Sequence, residues 1–146
     1  IMDRPGTSFL FMSPDDPRIK ALVSRYPARV KRGWSYGPDG VREELGRSDM
    51  GILVREDSVT NRVASPTKFA EYLACGRPVL ISPQLGDGRE VVVKHELGVL
   101  HAPGEQLPDL QPSASTERDR CRSFALAHFT KSAYDAEYRT LLNKLT

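Results

Sequence analysis

The sequence predicts an α/β fold, a doubly wound parallel sheet. Three observations carry that expectation. Short apolar runs alternate with helical stretches, no hairpin-type turn joins one run to the next, and two runs, MGILV at Met50–Val54 and Pro78–Ser82, are almost wholly apolar. Strands joined by helices run parallel, and a parallel strand covered on both faces shows continuous rather than alternating hydrophobicity.

Taken in order, Ser8–Ser13 (SFLFMS) reads as a first short strand. Asp15 or Asp16 can cap a helix that runs through Tyr26, with Pro17 at an early helical position. Arg29–Gly33 is a second strand, leading into the loop Trp34–Gly37. Pro38–Arg47 is helical, with Val41 and Leu45 on one side. Met50–Val54 reads as a strand buried on both faces, and a polar loop, Arg55–Ala64, follows it. A helix opening at Pro66, with Gly76 at its C-cap, then precedes the buried strand Pro78–Ser82. Gly86–His95 is a short helix and Val99–Ala102 a last strand. Pro103–Ser115, rich in proline and without apolar period, is an irregular connection rather than a domain linker. Two helices close the chain, the first with Thr116 and Asp119 as a capping box and the second capped by Thr130. Tyr134, Tyr138, Leu141 and Leu145 form an apolar stripe on the second, expected either to pack on the sheet or to dock a partner.

Composition narrows the function classes. With 146 residues and a net charge of +2, the chain has the size of one globular domain and no strong electrostatic bias. Its densest basic patch, Arg25–Arg32, also supplies a strand, so nucleic acid is not an expected partner. No apolar run approaches a membrane span and no leader is read at the start. Cys75 and Cys121 lack metal-ligand spacing and fall in predicted helices, which suits free thiols in a reducing cytoplasm.

The chemistry concentrates in SPTKFAEYLACGRPVLIS, residues 65–82. Ser65 suits an N-cap, Pro66 a first helical position and Gly76 a left-handed C-cap. Pro66, Phe69, Ala70 and Leu73 fall on a core face, while Lys68, Glu71 and Cys75 fall on the other side. The plain reading of that side is a solvated face with one lysine–glutamate pair. The functional reading starts from position. A helix between two parallel strands begins at their carboxyl edge, where open α/β sheets bind ligands. Free N–H groups and a first-turn lysine there suit a phosphate, and a carboxylate one turn further in suits the vicinal hydroxyls of a ribose. Together they point to a nucleotide diphosphate.

With LGRSDMGILV before it and GDGREVVVKHELGVL after it, this stretch resembles the C-terminal, donor-binding domain of group 1 (family 4) glycosyltransferases. The most specific part is P-x-K-x-x-E-Y-L-A-x-G-x-P-V at Pro66–Val79, and the closing ALAHFTKSAYDAEYRTLL is similar to the terminal helices of those enzymes. The resemblance implies a Rossmann-like half of a two-domain GT-B fold. It also implies retaining transfer of a sugar from a nucleotide-diphosphate sugar, which serves as co-substrate, with no metal and no other cofactor. Under it, residues 1–146 are one nucleotide-sugar-binding domain. Glu71 matches the residue that holds the ribose hydroxyls, and Ser65, Thr67 and Lys68 match the helix start facing the donor pyrophosphate. Trp34 and Tyr36 are candidate nucleobase contacts, although an aromatic anchoring its own loop reads equally well. Gly86, Asp87 and Gly88 read as a plain turn near the same edge.

Two departures qualify the match. Many relatives carry a glutamate against the transferred sugar where this chain has Val63, and Glu56 or Asp57 would have to supply it from another offset. The usual first strand and helix of the donor domain and the whole acceptor domain are also missing. The expected protein is therefore part of an enzyme, inactive alone, cytoplasmic or at the inner face of the membrane. Its expected partners are a nucleotide sugar and, through the missing domain, a sugar or lipid-linked acceptor, with weak self-association through the last helix. A non-catalytic nucleotide-binding or assembly module is the alternative, and a sugar-nucleotide epimerase domain a less favoured one.

Overall fold

Phe9–Met12 (β1) and Val30–Gly33 (β2) pair in parallel, Phe9 opposite Val30 and Met12 opposite Gly33. A computed structural model of the chain describes residues 5–34, 37–65 and 67–144. They fall into two compact units, one within 1–48 and one within 49–146. In the first, Asp16 rather than Asp15 caps the helix Pro17–Arg25 (α1), its carboxylate accepting from the Arg18 N–H at 2.8 Å. The Arg18 guanidinium beside it pulls the Asp16 carboxyl down to about 2. Asp15 instead meets Arg32 at 2.9 Å. The helix Gly37–Gly46 (α2) follows, with Leu45 buried and Val41 half-buried.

The second unit holds a parallel sheet of Gly51–Leu53 (β3), Val79–Ile81 (β4) and Gly98–Leu100 (β5), in that spatial order. Among the described residues the five strands thus form two sheets, where one was expected. The helices Thr67–Ala74 (α4) and Gly88–His95 (α5) connect consecutive strands, and one helical turn, Val59–Arg62 (α3), interrupts the loop expected between β3 and α4. Ser58 explains that turn, since its hydroxyl accepts from the Asn61 N–H at 3.2 Å. Crossovers that step the same way along a sheet lie on one face. On that face Leu53, Val79 and Ile81 meet Phe69 and Leu73 of α4, Val92 of α5, Leu85 and Leu97. Cys121 and Ala125 of the helix Ser115–His128 (α6) complete the core. Burial pushes the Cys121 thiol from its ordinary 9.0 up to about 11, which leaves it protonated at neutral pH.

The opposite face is less closed. Ile52, Leu80 and Val99 share it in register, and Ile52 is 47% exposed although Leu80 is buried. The expectation that β3 is buried on both faces is corrected: it is an edge strand of its three-stranded sheet.

The C-terminal caps also differ from expectation. α6 begins before Thr116, and the Glu117 carboxylate accepts from the Ala114 N–H at 3.0 Å. Asp119 is bound to Arg122 at 3.2 Å and caps nothing. Thr130 turns its hydroxyl back to the Leu126 carbonyl at 2.9 Å, and a 3-10 turn, Lys131–Tyr134, separates it from the last helix, Asp135–Asn143 (α7). No residue of α7 is buried; Tyr138 and Leu141 are exposed, as is Tyr134 before them. Packing of this stripe on the sheet is therefore corrected. α6 already covers α4, with Phe129 edge-on to Phe69 at 5.9 Å. Leu145 lies outside the described residues. Among the described residues no helix is long and apolar enough to cross a membrane.

Candidate functional site

The start of α4 is fixed from its far end first. Gly76 takes the left-handed conformation expected of it (φ +68), so its N–H reaches the Leu73 carbonyl and the Arg77 N–H the Tyr72 carbonyl, both at 2.8 Å. These two bonds make a Schellman motif, which ends the helix and turns the chain into β4. Phe69 and Leu73 face the core as expected. Ala70 does not: it lines a groove of about 320 Å³ with Glu71, Ala74, Arg122, Ala125, Leu126 and Phe129. Tyr72 takes its place beside the core, its ring lying where a side chain on Gly51 would stand.

At the other end of α4, Ser65, Thr67 and Lys68 are all exposed. Pro66 lies outside the described residues. Lys68 Nζ is 2.9 Å from the Glu71 carboxylate, with side chains 55% and 42% exposed, so the pair is solvated and weakly held. The structure therefore brings Lys68 and Glu71 together on one side of the helix, with Ser65 and Thr67 at its start.

The loop in front of this helix is bound to the turn that follows β4. The buried Ser82 hydroxyl accepts from the Arg55 N–H at 2.7 Å and donates to the Arg55 carbonyl at 2.9 Å. Gln84 donates to that carbonyl as well, at 2.9 Å. Asn61 Nδ2 donates to the Glu56 carbonyl at 3.0 Å, and its Oδ1 accepts from Arg55 Nη1 at 3.3 Å. The Asn61 carbonyl in turn accepts from the Gly86 N–H at 3.2 Å. Gly86 itself is left-handed (φ +46), and a Cβ there would stand 2.1 Å from the Ala64 carbonyl oxygen. The expected plain turn at Gly86, Asp87 and Gly88 is thus a close-fitting one, with Asp87 preceding α5 without a side-chain cap bond.

The candidate carboxylates separate. Asp57 is held by Arg62 through two bonds of 2.7 Å, and that guanidinium keeps its carboxyl below the ordinary carboxylate range. Glu56 is exposed, and its backbone carbonyl accepts from Asn61. Val63 is exposed as well. Trp34 is an exposed residue at the end of β2 in the first unit, and Tyr36 lies outside the described residues. Among the described residues no cluster of three His, Cys, Asp or Glu side chains forms a metal ligand set.

Asn61 and Ser82 had no role in the sequence reading. Ser58 three residues before Asn61 hinted at a capped turn, but nothing in a polar loop marks which amide will bridge two segments. No family model, no curated protein and no solved structure matches the chain.

Proposed function

We propose that this chain is the donor-binding part of a retaining, GT-B-type glycosyltransferase that moves a sugar from a nucleotide-diphosphate sugar to an acceptor. One observation carries the reading: Lys68 and Glu71 stand together at the start of α4, the crossover between parallel strands β3 and β4. In this reading the helix N–H groups and Lys68 neutralise the departing nucleotide diphosphate, and Glu71 accepts from the ribose hydroxyls. Ser65 and Thr67 face the pyrophosphate. Trp34 and Tyr36 are the candidate base contacts, and Glu56 is the carboxylate left for the sugar, since Asp57 is taken by Arg62. The finer fold belongs to the same proposal, a Rossmann-like, doubly wound half of the enzyme. The parallel β3–β4–β5 sheet with α4 and α5 as crossovers supports it. The remaining expectations, a cytoplasmic enzyme without metal or other cofactor whose acceptor is held by another domain, belong to the same proposal.

Titration calorimetry with UDP and GDP tests the reading. Glu71→Ala is expected to lose about 1.5–3 kcal/mol of nucleotide affinity, the scale of hydrogen bonds to a charged group. Its unfolding midpoint is expected to stay put, because the side chain leaves the core untouched. Equal affinities would return Glu71 to a solvated ion pair. The exposed Val63, at the place where the resemblance asks for a glutamate, favours a second reading: a module that binds nucleotide without transferring sugar. Release of free nucleotide from a sugar donor by the full-length protein separates the two.

A further inference from the structure

A polar loop such as 54–65, with a single helical turn in it, costs conformational entropy to hold still. Here it is held by bonds that belong to no helix or strand. Ser82 and Gln84 take the backbone of Arg55 from the β4 side. Asn61 then joins what remains: its amide takes the Glu56 carbonyl and the Arg55 guanidinium, and its own carbonyl takes the Gly86 N–H. Gly86 lies flush against Ala64, the residue before Ser65. One residue thus ties the loop together in front of α4: its side chain joins Arg55 and Glu56 to the turn α3, and its backbone carbonyl joins that turn to the β4–α5 turn.

We propose that Asn61 is a positioning residue for the nucleotide site, ordering the loop and the α4 start before a ligand arrives. A site ordered in advance binds more tightly, because binding does not have to freeze the loop. The amide is suited to this because it carries a donor and an acceptor at one end. Alanine loses both side-chain contacts and keeps the backbone bond to Gly86. Aspartate keeps an acceptor for Arg55 but loses the donor to Glu56.

The choice of ligand rests on the donor-site reading above, whereas the order of the loop can be measured without any ligand. Hydrogen–deuterium exchange of the whole chain, wild type and Asn61→Ala, is followed in peptides covering 54–65, β4 and α6, with and without UDP or GDP. Asn61→Ala is expected to exchange faster in 54–65 alone, with β4, α6 and the unfolding midpoint unchanged. Its UDP or GDP affinity is expected to fall about five- to tenfold, the weight of one hydrogen bond, and saturating nucleotide to restore the lost protection. Asn61→Asp is expected to fall between wild type and alanine, and it serves if the alanine variant does not fold. Unchanged exchange in 54–65 would overturn the proposal, and so would faster exchange everywhere, which marks a purely structural role. Faster loop exchange with unaltered affinity would also overturn it. If the wild type binds neither nucleotide, the donor-site reading falls, while the exchange pattern still decides whether Asn61 orders the loop.

Discussion

Lys68 and Glu71 neutralise each other across 2.9 Å, and a diphosphate at the α4 start would compete for the lysine. The competition is easily won, since an exposed pair at this spacing is worth only about 0.2–0.5 kcal/mol. Attraction between an exposed ammonium and phosphate is screened by salt, whereas ribose and base contacts are much less so. Lys68→Ala is therefore expected to weaken UDP or GDP strongly and the matching nucleoside little, with the difference shrinking as salt rises. Parallel titrations at low and high ionic strength read this out. A nucleoside that loses as much affinity as its diphosphate would remove Lys68 from the phosphate site.

At the scale of elements, α4 depends on how it ends. Gly76 lies at φ +68, with Arg122 guanidinium atoms 2.9 Å and the Arg118 carbonyl oxygen 3.0 Å from where a Cβ would be. An L-residue held left-handed costs roughly 1–2 kcal/mol, and the backbone oxygen cannot swing aside as the guanidinium can. Gly76→Ala should lower stability by at least that amount. Gly46→Ala, at the end of α2 with nothing within 4 Å, should leave stability unchanged or raise it by about 0.4–1 kcal/mol. Denaturant unfolding of both variants checks the opposite signs. Equal effects would mean that the left-handed cap is not what ends α4. The stripe on α7 follows another logic. Its spacing is that of a buried face, yet Tyr134, Tyr138 and Leu141 are exposed.

At the scale of the whole molecule, transfer requires donor and acceptor held in line, an advantage worth roughly 7–11 kcal/mol where it is fully realised. Under the proposed function these 146 residues hold the donor side only. The purified chain is expected to bind nucleotide weakly and to show no sugar transfer above background. Labelled nucleotide sugars offered with a panel of sugar and lipid acceptors decide it. Robust turnover would place a complete active site within this chain and overturn the division into halves. The exposed α7 stripe gives a reason to run the assay beside sedimentation at several concentrations. A monomer shifting weakly toward dimer is the expected behaviour, and a concentration-independent monomer would leave that face without a self-association role.

What the sequence determined by itself is short-range. The alternation of strand and helix, an aspartate cap at Asp15 or Asp16, the left-handed Gly76 and the burial of Phe69 and Leu73 all depend on neighbours within a turn or two, so their periods and caps can be read from composition and spacing. The juxtaposition of Lys68 with Glu71 was legible for the same reason. What only the tertiary structure decided joins residues far apart. The Ser82–Arg55 bonds span 27 positions and the Tyr72 ring rests on Gly51, so neither leaves a periodic trace in the chain. The same holds for the link from Asn61 to Gly86 and for the division of the strands into two sheets. Each depends on which groups happen to lie within about 3 Å once the strands are side by side, because a directional bond forms only at that range.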